Sequence, residues 1–427
     1  MPMKKTDSPA VGETLYESVL PNGLPVFVIP KPGYRKTFAV FAANYGGADR
    51  RFVRDGAERE TPAGVAHYLE HKMFDMPDGD ALMALTAAGA DPNAFTSEDM
   101  TAYHFECTDR FDESLRTLLS FVSEPYFTPE SVDRERGIIA QEIRMVEDAP
   151  DFAVYMDLMR CLFPEGHPLR DAVAGTVDSI RDITPETLYD CHRAFYVPSN
   201  MALCVVGNAD PERVERIARE VLGAEGVPAP EKLRADDGGL RPVETFAHRR
   251  MDVAAPLFMI GAKLGPAVRG PEAQRERIIA ALALRCLVGR SSPFYLRQYA
   301  DGLLNSTFGA DVDYSAGQTV LAFDGETPGD PRRVLDALTE ELTRVQREGL
   351  DRALFDRQKK ASLGARIRGL MSFEGLGVSL ASAHFAGFRA MDGFEVLGSL
   401  TAEDADAWLR RIDPNDFALA VVEPKEG

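Results

Sequence analysis

Apolar and polar residues alternate near the start of the chain and then settle into a helical period. Residues 14–20 and 24–29 are strand-like runs on either side of Pro21-Asn22-Gly23, which predicts a hairpin. A third apolar run covers 37–45, and a helix is expected at about 62–74. Residues 91–96 and 101–107 read as paired strands joined through Ser97-Glu98-Asp99. Helical spacing dominates from 110 to about 195, and 201–206 reads as a closing strand.

The closing pattern occurs twice. ITPETLYDCHRAFYVPSNMALCVVGN, beginning at Ile183, and LTAEDADAWLRRIDPNDFALAVVEP, beginning at Leu400, share one order. Each has a Thr-led helix start, an amphipathic helix, Pro with Asn, and an apolar strand. The two are about half the chain apart, which predicts an internal duplication into two α+β domains. The expected division is 1–222, a linker at 223–247, and 248–427. The segment GAEGVPAPEKLRADDGGLRP, from Gly223 to Pro242, has the Gly, Pro and charge content of a linker.

Composition narrows the class. Hydrophobic residues make up 45% and charged residues 27% of 427, as in ordinary soluble proteins. No apolar stretch approaches the ~18–20 residues of a membrane span. The opening MPMKKTDSPAVGETLYESVL has lysines but no apolar run behind them, so no secretory signal is read there and a cytoplasmic location is expected. Lys and Arg total 48 against 67 Asp and Glu, a net charge of −19. That disfavours nucleic acid or an anionic membrane as the main partner; it keeps the chain soluble and weakly suits a basic or neutral peptide. The cysteines (Cys107, Cys161, Cys191, Cys204 and Cys286) are odd in number, scattered and never in CxxC, so buried free thiols are expected.

The strongest local chemistry is His67-Tyr68-Leu69-Glu70-His71. On a helix, positions i and i+4 share a face, so both imidazoles can reach one ion. Glu70 lies close enough to touch a water on that ion without ligating it. Neutral imidazoles suit zinc, and catalytic zinc commonly takes three protein ligands and a water. The pentapeptide is the inverse of the His-Glu-x-x-His signature. Alone it fits two ordinary histidines equally well; a third ligand changes the balance. Glu135 and Glu142 lie two turns apart on a helix expected at about 128–147, whose middle (Gly137-Ile138-Ile139-Ala140) is apolar and expected to be buried. Carboxylates on a buried face are costly unless paired or bound to a metal.

HYLEH followed, after 70 intervening residues, by the last Glu of RERGIIAQE resembles the pitrilysin/insulinase family of zinc peptidases. The resemblance includes the zinc-bearing subunits of its bacterial processing-peptidase-like branch. It extends through LPNGLPVFV, PNAFTSEDMTAYHF, HPLRDAVAGTVDSI and AFYVPSNMALCVVGN. It implies one zinc ion per chain held by His67, His71 and Glu142, with Glu70 as general base and Glu135 supporting the site from behind its ligands. It implies substrate binding along Asn93-Ala94-Phe95-Thr96, an edge strand on which an extended peptide lies. It also implies two homologous domains, each a mostly antiparallel sheet packed with helices, facing each other as a clamshell. His167, in HPLRDAVAGT, is expected to be structural. His104, His192, His248 and His384 are expected to play ordinary structural roles, and Trp408 to pack in the core.

One segment departs from the family pattern. Active relatives carry an Arg and a Tyr seven residues apart in the second half, the Tyr stabilising the oxyanion and the Arg counted with substrate binding. Here Arg297 is present, but Leu304 stands at the Tyr position. Either Tyr299 or Asn305 substitutes, or a homologous subunit lacking the zinc motif supplies the Arg/Tyr pair in a heterodimer; a homodimer is also compatible. The expected activity is zinc-dependent hydrolysis of short unstructured peptides. Leader-peptide processing is an alternative within that class, and a non-catalytic peptide-binding or scaffold subunit is the alternative outside it.

Overall fold

Asn22 and Gly23 turn the chain where the sequence places a hairpin. Gly23 adopts a φ of +90°, Leu20 N donates to Leu24 O at 2.8 Å, and Asn22 Oδ1 accepts from Leu24 N at 3.1 Å. The computed structural model describes residues 3–8, 11–77 and 79–425. Lys4–Ser8 (β1), Glu13–Val19 (β2) and Pro25–Pro30 (β3) run antiparallel, each to the next. Thr37–Ala43 (β4), Asp91–Thr96 (β5), Thr101–Cys107 (β6) and Met201–Gly207 (β7) complete a seven-stranded sheet of order β1-β2-β3-β7-β4-β6-β5. β5 and β6 start and stop where the sequence puts them. β4 and β7 are buried along their whole length, as strands covered on both faces are.

The second sheet repeats this plan. Its strands are Phe246–Met251 (β8), Leu257–Pro266 (β9), Gly309–Asp313 (β10), Gln318–Glu326 (β11) and Ala418–Pro424 (β12), in the order β8-β12-β9-β11-β10. Taken in chain order, β3 to β7 and β8 to β12 correspond one to one. Both sets begin with one parallel pair, β3 with β7 and β8 with β12, followed by antiparallel neighbours. The repeated helix starts also match: Thr184 and Thr401 each form a capping box at the head of Pro185–Phe195 and Ala402–Leu409. The chain is therefore an α+β fold built on two main sheets, each packed with helices.

The two compact units interleave in sequence. One comprises residues up to 143, 172–233 and 367–391; the other comprises 144–171, 234–366 and the chain from 392. Helix Phe373–Ala386, late in sequence, lies on β7 and β4 of the first sheet. Gly377 comes so close there that a Cβ would sit 2.8 Å from the Phe38 ring. Helix Pro150–Leu162, early in sequence, lies on β12, β9 and β8. Within 223–242, Glu231–Lys232 pairs with Arg51–Arg54, and Lys232 Nζ reaches Asp49 Oδ2 at 2.7 Å. That part of the expected linker is thus anchored to the first unit.

The helical region from 110 to 195 resolves into Phe111–Ser123, Pro129–Glu147, Pro150–Leu162 and Pro185–Phe195; loops and short 3-10 turns occupy 163–184. All five cysteines are free and buried. Trp408 is 3% exposed in the second core, where its Nε1 donates to Glu276 at 2.8 Å. Among the described residues, no helix is long and apolar enough to cross a membrane.

Candidate active site

Helix α1 (Val65–Lys72) begins at Gly64, whose φ of +96° and approach to Ala174 leave no room for a side chain; a Cβ would lie 2.5 Å from the Ala174 carbonyl oxygen. Val65, Ala66, Tyr68 and Leu69 bury one side of α1 in the first core, at 2% exposure or less. His67 and His71 are left together on the other side, their ring centroids 4.6 Å apart. Facing them is helix α2 (Pro129–Glu147), which buries Val132, Ile139 and Ile143 in the same core. The buried Tyr68 hydroxyl donates to the Val132 carbonyl and so ties the helices together. Arg136 anchors α2 from elsewhere, donating to Ile180 O at 3.2 Å and Ile183 O at 2.9 Å. The apolar centre of α2 is only partly buried: Ile139 is in the core, but Ile138 is 53% exposed. Successive residues on a helix are rotated by about 100°, and here that step carries Ile139 into the core and Ile138 out of it.

These constraints bring the sequence-named groups together. His67 Nε2 lies 3.4 Å from Glu142 Oε1, and His71 Nε2 lies 3.5 Å from Glu142 Oε2. One ligand atom from each of the three residues falls within 4.8 Å of the others, the one such cluster among the described residues. The donor set and spacing fit zinc. Ligands at about 2.1 Å in tetrahedral array stand roughly 3.4 Å apart. His71 Nδ1 is held by Glu135 Oε1 at 3.0 Å, which turns Nε2 toward Glu142. His67 Nδ1 is buried without a hydrogen-bond partner, so this ring is held by packing and by its Nε2 contact with Glu142.

Electrostatics match that arrangement. Burial, reinforced by the neighbouring His71 charge, lowers the His67 pKa to about 4, so this imidazole is neutral at physiological pH, the form that ligates metals. For His71, burial opposes protonation, but the Glu135 hydrogen bond and the surrounding carboxylates outweigh it and raise the pKa. The His71 hydrogen bond in turn lowers Glu135. Burial raises Glu70, against the opposing effect of a hydrogen bond from Thr96.

Glu70, 8% exposed, accepts from Thr96 Oγ1 at 2.5 Å. β5 is the last strand in the order of its sheet, so its outer edge has no strand neighbour among the described residues. Asn93 is exposed and accepts at Oδ1 from Ala94 N; Ala94 packs on the first core, and the Phe95 ring lies 6.3 Å from His104. Arg297 belongs to the second unit, where it donates to the buried Glu341 at 3.0 Å. Leu304 is a core residue of that unit, 3% exposed. Tyr299 is 54% exposed, and the Asn305 side chain reaches Glu326 at 3.3 Å. His167 is buried and stacks on Phe163. Sequence reasoning did not find the Tyr68 clamp or the Thr96 hydroxyl contact. The one available signal was Thr96 sharing the inward parity of Ala94.

Comparisons with known proteins agree with this geometry. Residues 52–176, which contain both helices of the site, match the family described as insulinase (peptidase family M16). Residues 182–362 match the peptidase M16 inactive domain. A Bacillus subtilis protein named as a zinc protease, YmfH, is 36% identical over 399 residues, covering 92% of each chain. The crystal structure of an M16-like peptidase from Alicyclobacillus acidocaldarius shares 32% identity at a TM-score of 0.93, covering 98% of this chain and all of that one. The mitochondrial-processing peptidase subunit beta of Caenorhabditis elegans is 28% identical over 219 residues, 50% of this chain and 45% of that protein. Since the likeness runs nearly end to end and takes in the His-His-Glu cluster, this chain belongs to the insulinase (M16) peptidase family.

Proposed function

We propose that the chain is a zinc-dependent endopeptidase that cleaves short, unstructured peptides. His67, His71 and Glu142 would hold one zinc ion, and Glu70 would be the general base. The observation that carries this reading is the meeting of two imidazoles from α1 with a carboxylate from α2, beside a buried Glu70 that is not part of the cluster. Bound zinc would acidify a water toward a pKa of about 7 and polarise the scissile carbonyl. Glu70 accepts the water proton at a carboxylate oxygen and returns it to the leaving amine. Glu135 keeps the His71 ring in one tautomer and one orientation. The free edge of β5, at Asn93-Ala94-Phe95-Thr96, pairs with an extended peptide through backbone hydrogen bonds, which read length and flexibility more than side-chain identity.

The two homologous domains are proposed as 1–222 and 248–427, joined by 223–247, apart from helices Pro150–Leu162 and Phe373–Ala386, each of which packs on the sheet of the other half. The oxyanion donor is proposed to come from a homologous subunit carrying the Arg/Tyr pair. Leu304 has no donor and lies in a core, and Arg297, the proposed substrate contact, is already paired with Glu341. That a relative bears the name of a processing-peptidase subunit favours such an assembly, and leader-peptide removal is one substrate class within it. The free, buried thiols suit a reducing cytoplasm.

Zinc analysis and peptide hydrolysis by wild type and Glu70→Gln, with and without the homologous subunit, test the reading. The expected result is one zinc per chain in both proteins and cleavage only in wild type. Equal cleavage by Glu70→Gln would remove Glu70 from the mechanism, and a zinc-free wild type would point to a scaffold instead.

A further inference from the structure

We propose that Thr96 is a positioning residue: its hydroxyl, carried on the strand offered to substrate, fixes the carboxylate of Glu70. The inference rests on the reading of Glu70 as the base. Side chains alternate along β5, so Thr96 and Ala94 face one way while Asn93 and Phe95 face the other. The side shared by Thr96 and Ala94 is the inner one, since Ala94 packs on the first core. Thr96 Oγ1 reaches Glu70 Oε2 at 2.5 Å.

A second contact sets the direction of that bond. Thr96 pairs in register with Thr101 of β6, and the two hydroxyl oxygens are 3.4 Å apart. Thr101 is fully buried and gives its own hydrogen to the Tyr45 carbonyl at 2.9 Å. Thr96 has a single hydrogen to give, and a carboxylate oxygen at 2.5 Å outcompetes a hydroxyl at 3.4 Å. The hydrogen therefore goes to Glu70. This engages Oε2 and leaves Oε1 as the oxygen free to take a proton. Little solvent reaches Glu70 to replace a lost partner.

The arrangement also links two events. A peptide that pairs with the outer edge of β5 steadies the strand whose last residue holds the base. The backbone edge recognises substrate and the Thr96 side chain orients Glu70, so the two roles separate on substitution.

Thr96→Val keeps the shape and removes the hydroxyl; Thr96→Ser keeps the hydroxyl. The expected result for Thr96→Val is a kcat lower by about ten-fold or more, the loss of roughly one charge-assisted hydrogen bond. KM should stay within about two-fold and zinc should remain at one ion per chain. Thr96→Ser should recover most of kcat. Crystal structures of the zinc-loaded proteins give a readout independent of turnover. Glu70 Oε2 should remain on the residue-96 hydroxyl in wild type and Thr96→Ser, and leave that position in Thr96→Val. The proposal is overturned if Thr96→Val turns over like wild type, if Glu70 stands away from Thr96 in the wild-type crystal, or if both variants lose zinc and activity alike. Failure of the base assignment looks different: Glu70→Gln would then cleave like wild type. Failure of the present proposal leaves Glu70→Gln inactive and Thr96→Val active.

Discussion

Replacing Glu135 with Gln removes the negative charge behind His71 but keeps an oxygen that can accept its Nδ1 hydrogen. The contact is 3.0 Å long, and the side chains are 25% and 16% exposed, so water screens it only in part. A hydrogen bond involving a charged group at such a site contributes about 1.5–3 kcal/mol. The amide recovers some of this, leaving a loss of about 1–2 kcal/mol, equivalent to zinc binding weaker by roughly 5–30-fold. Glu135→Ala loses the acceptor as well and should reach about 100-fold, the upper range for groups that orient metal ligands. The assay is competition for zinc against a chromophoric chelator at fixed pH and ionic strength, with Glu142→Gln as the reference for loss of a direct ligand. Glu142→Gln should be the weakest binder of the three. Dissociation constants for both Glu135 variants within two-fold of wild type would refute the role given to Glu135.

Two further predictions concern stability. Leu304→Tyr should not restore an oxyanion donor: Leu304 is 3% exposed in the second core, and a ring with a hydroxyl there should cost roughly 2–4 kcal/mol by overpacking and desolvation. A urea titration checks this, and unchanged stability with raised turnover would contradict it. Burial lowers His192 to about 4, while its Nε2 sits 3.0 Å from Val122 O. The unfolded chain takes up this proton near pH 6.5, but the fold does so only near 4, so stability should fall as pH drops through that window, by up to about 3 kcal/mol. In His192→Gln the acid loss between pH 7 and 4.5 should be smaller by about 2 kcal/mol; an unchanged pH profile would count against it.

Local features were legible in the sequence because local physics sets them. The limits of β5 and β6 follow from alternation and the turn between them, and the matching helix starts at Thr184 and Thr401 follow from capping chemistry. The His-His-Glu cluster was legible because helical spacing constrains His67 and His71, while the resemblance supplied Glu142. Which sheet a helix covers was not legible. Pro150–Leu162 has an apolar face and Phe373–Ala386 is apolar nearly all round, but neither pattern contains anything about which of two similar sheets receives the helix. The exposure of Ile138 is not legible either, because an apolar run of four residues does not show which of them the helix turns inward; Ile139 faces the core and Ile138 faces out. The Thr96 and Tyr68 contacts join residues 26 and 64 positions apart, a separation no local pattern records.

The central claim is that His67, His71 and Glu142 share one zinc ion. Diffraction data from the zinc-soaked protein, collected on both sides of the zinc absorption edge, address it without reference to substrate or partner subunit. The expected result is a single anomalous peak per chain, about 2.0–2.2 Å from both Nε2 atoms and a Glu142 oxygen, with Glu70 beside it and not bonded. A chain that takes up no zinc, or a peak bonded to other residues, would contradict the account.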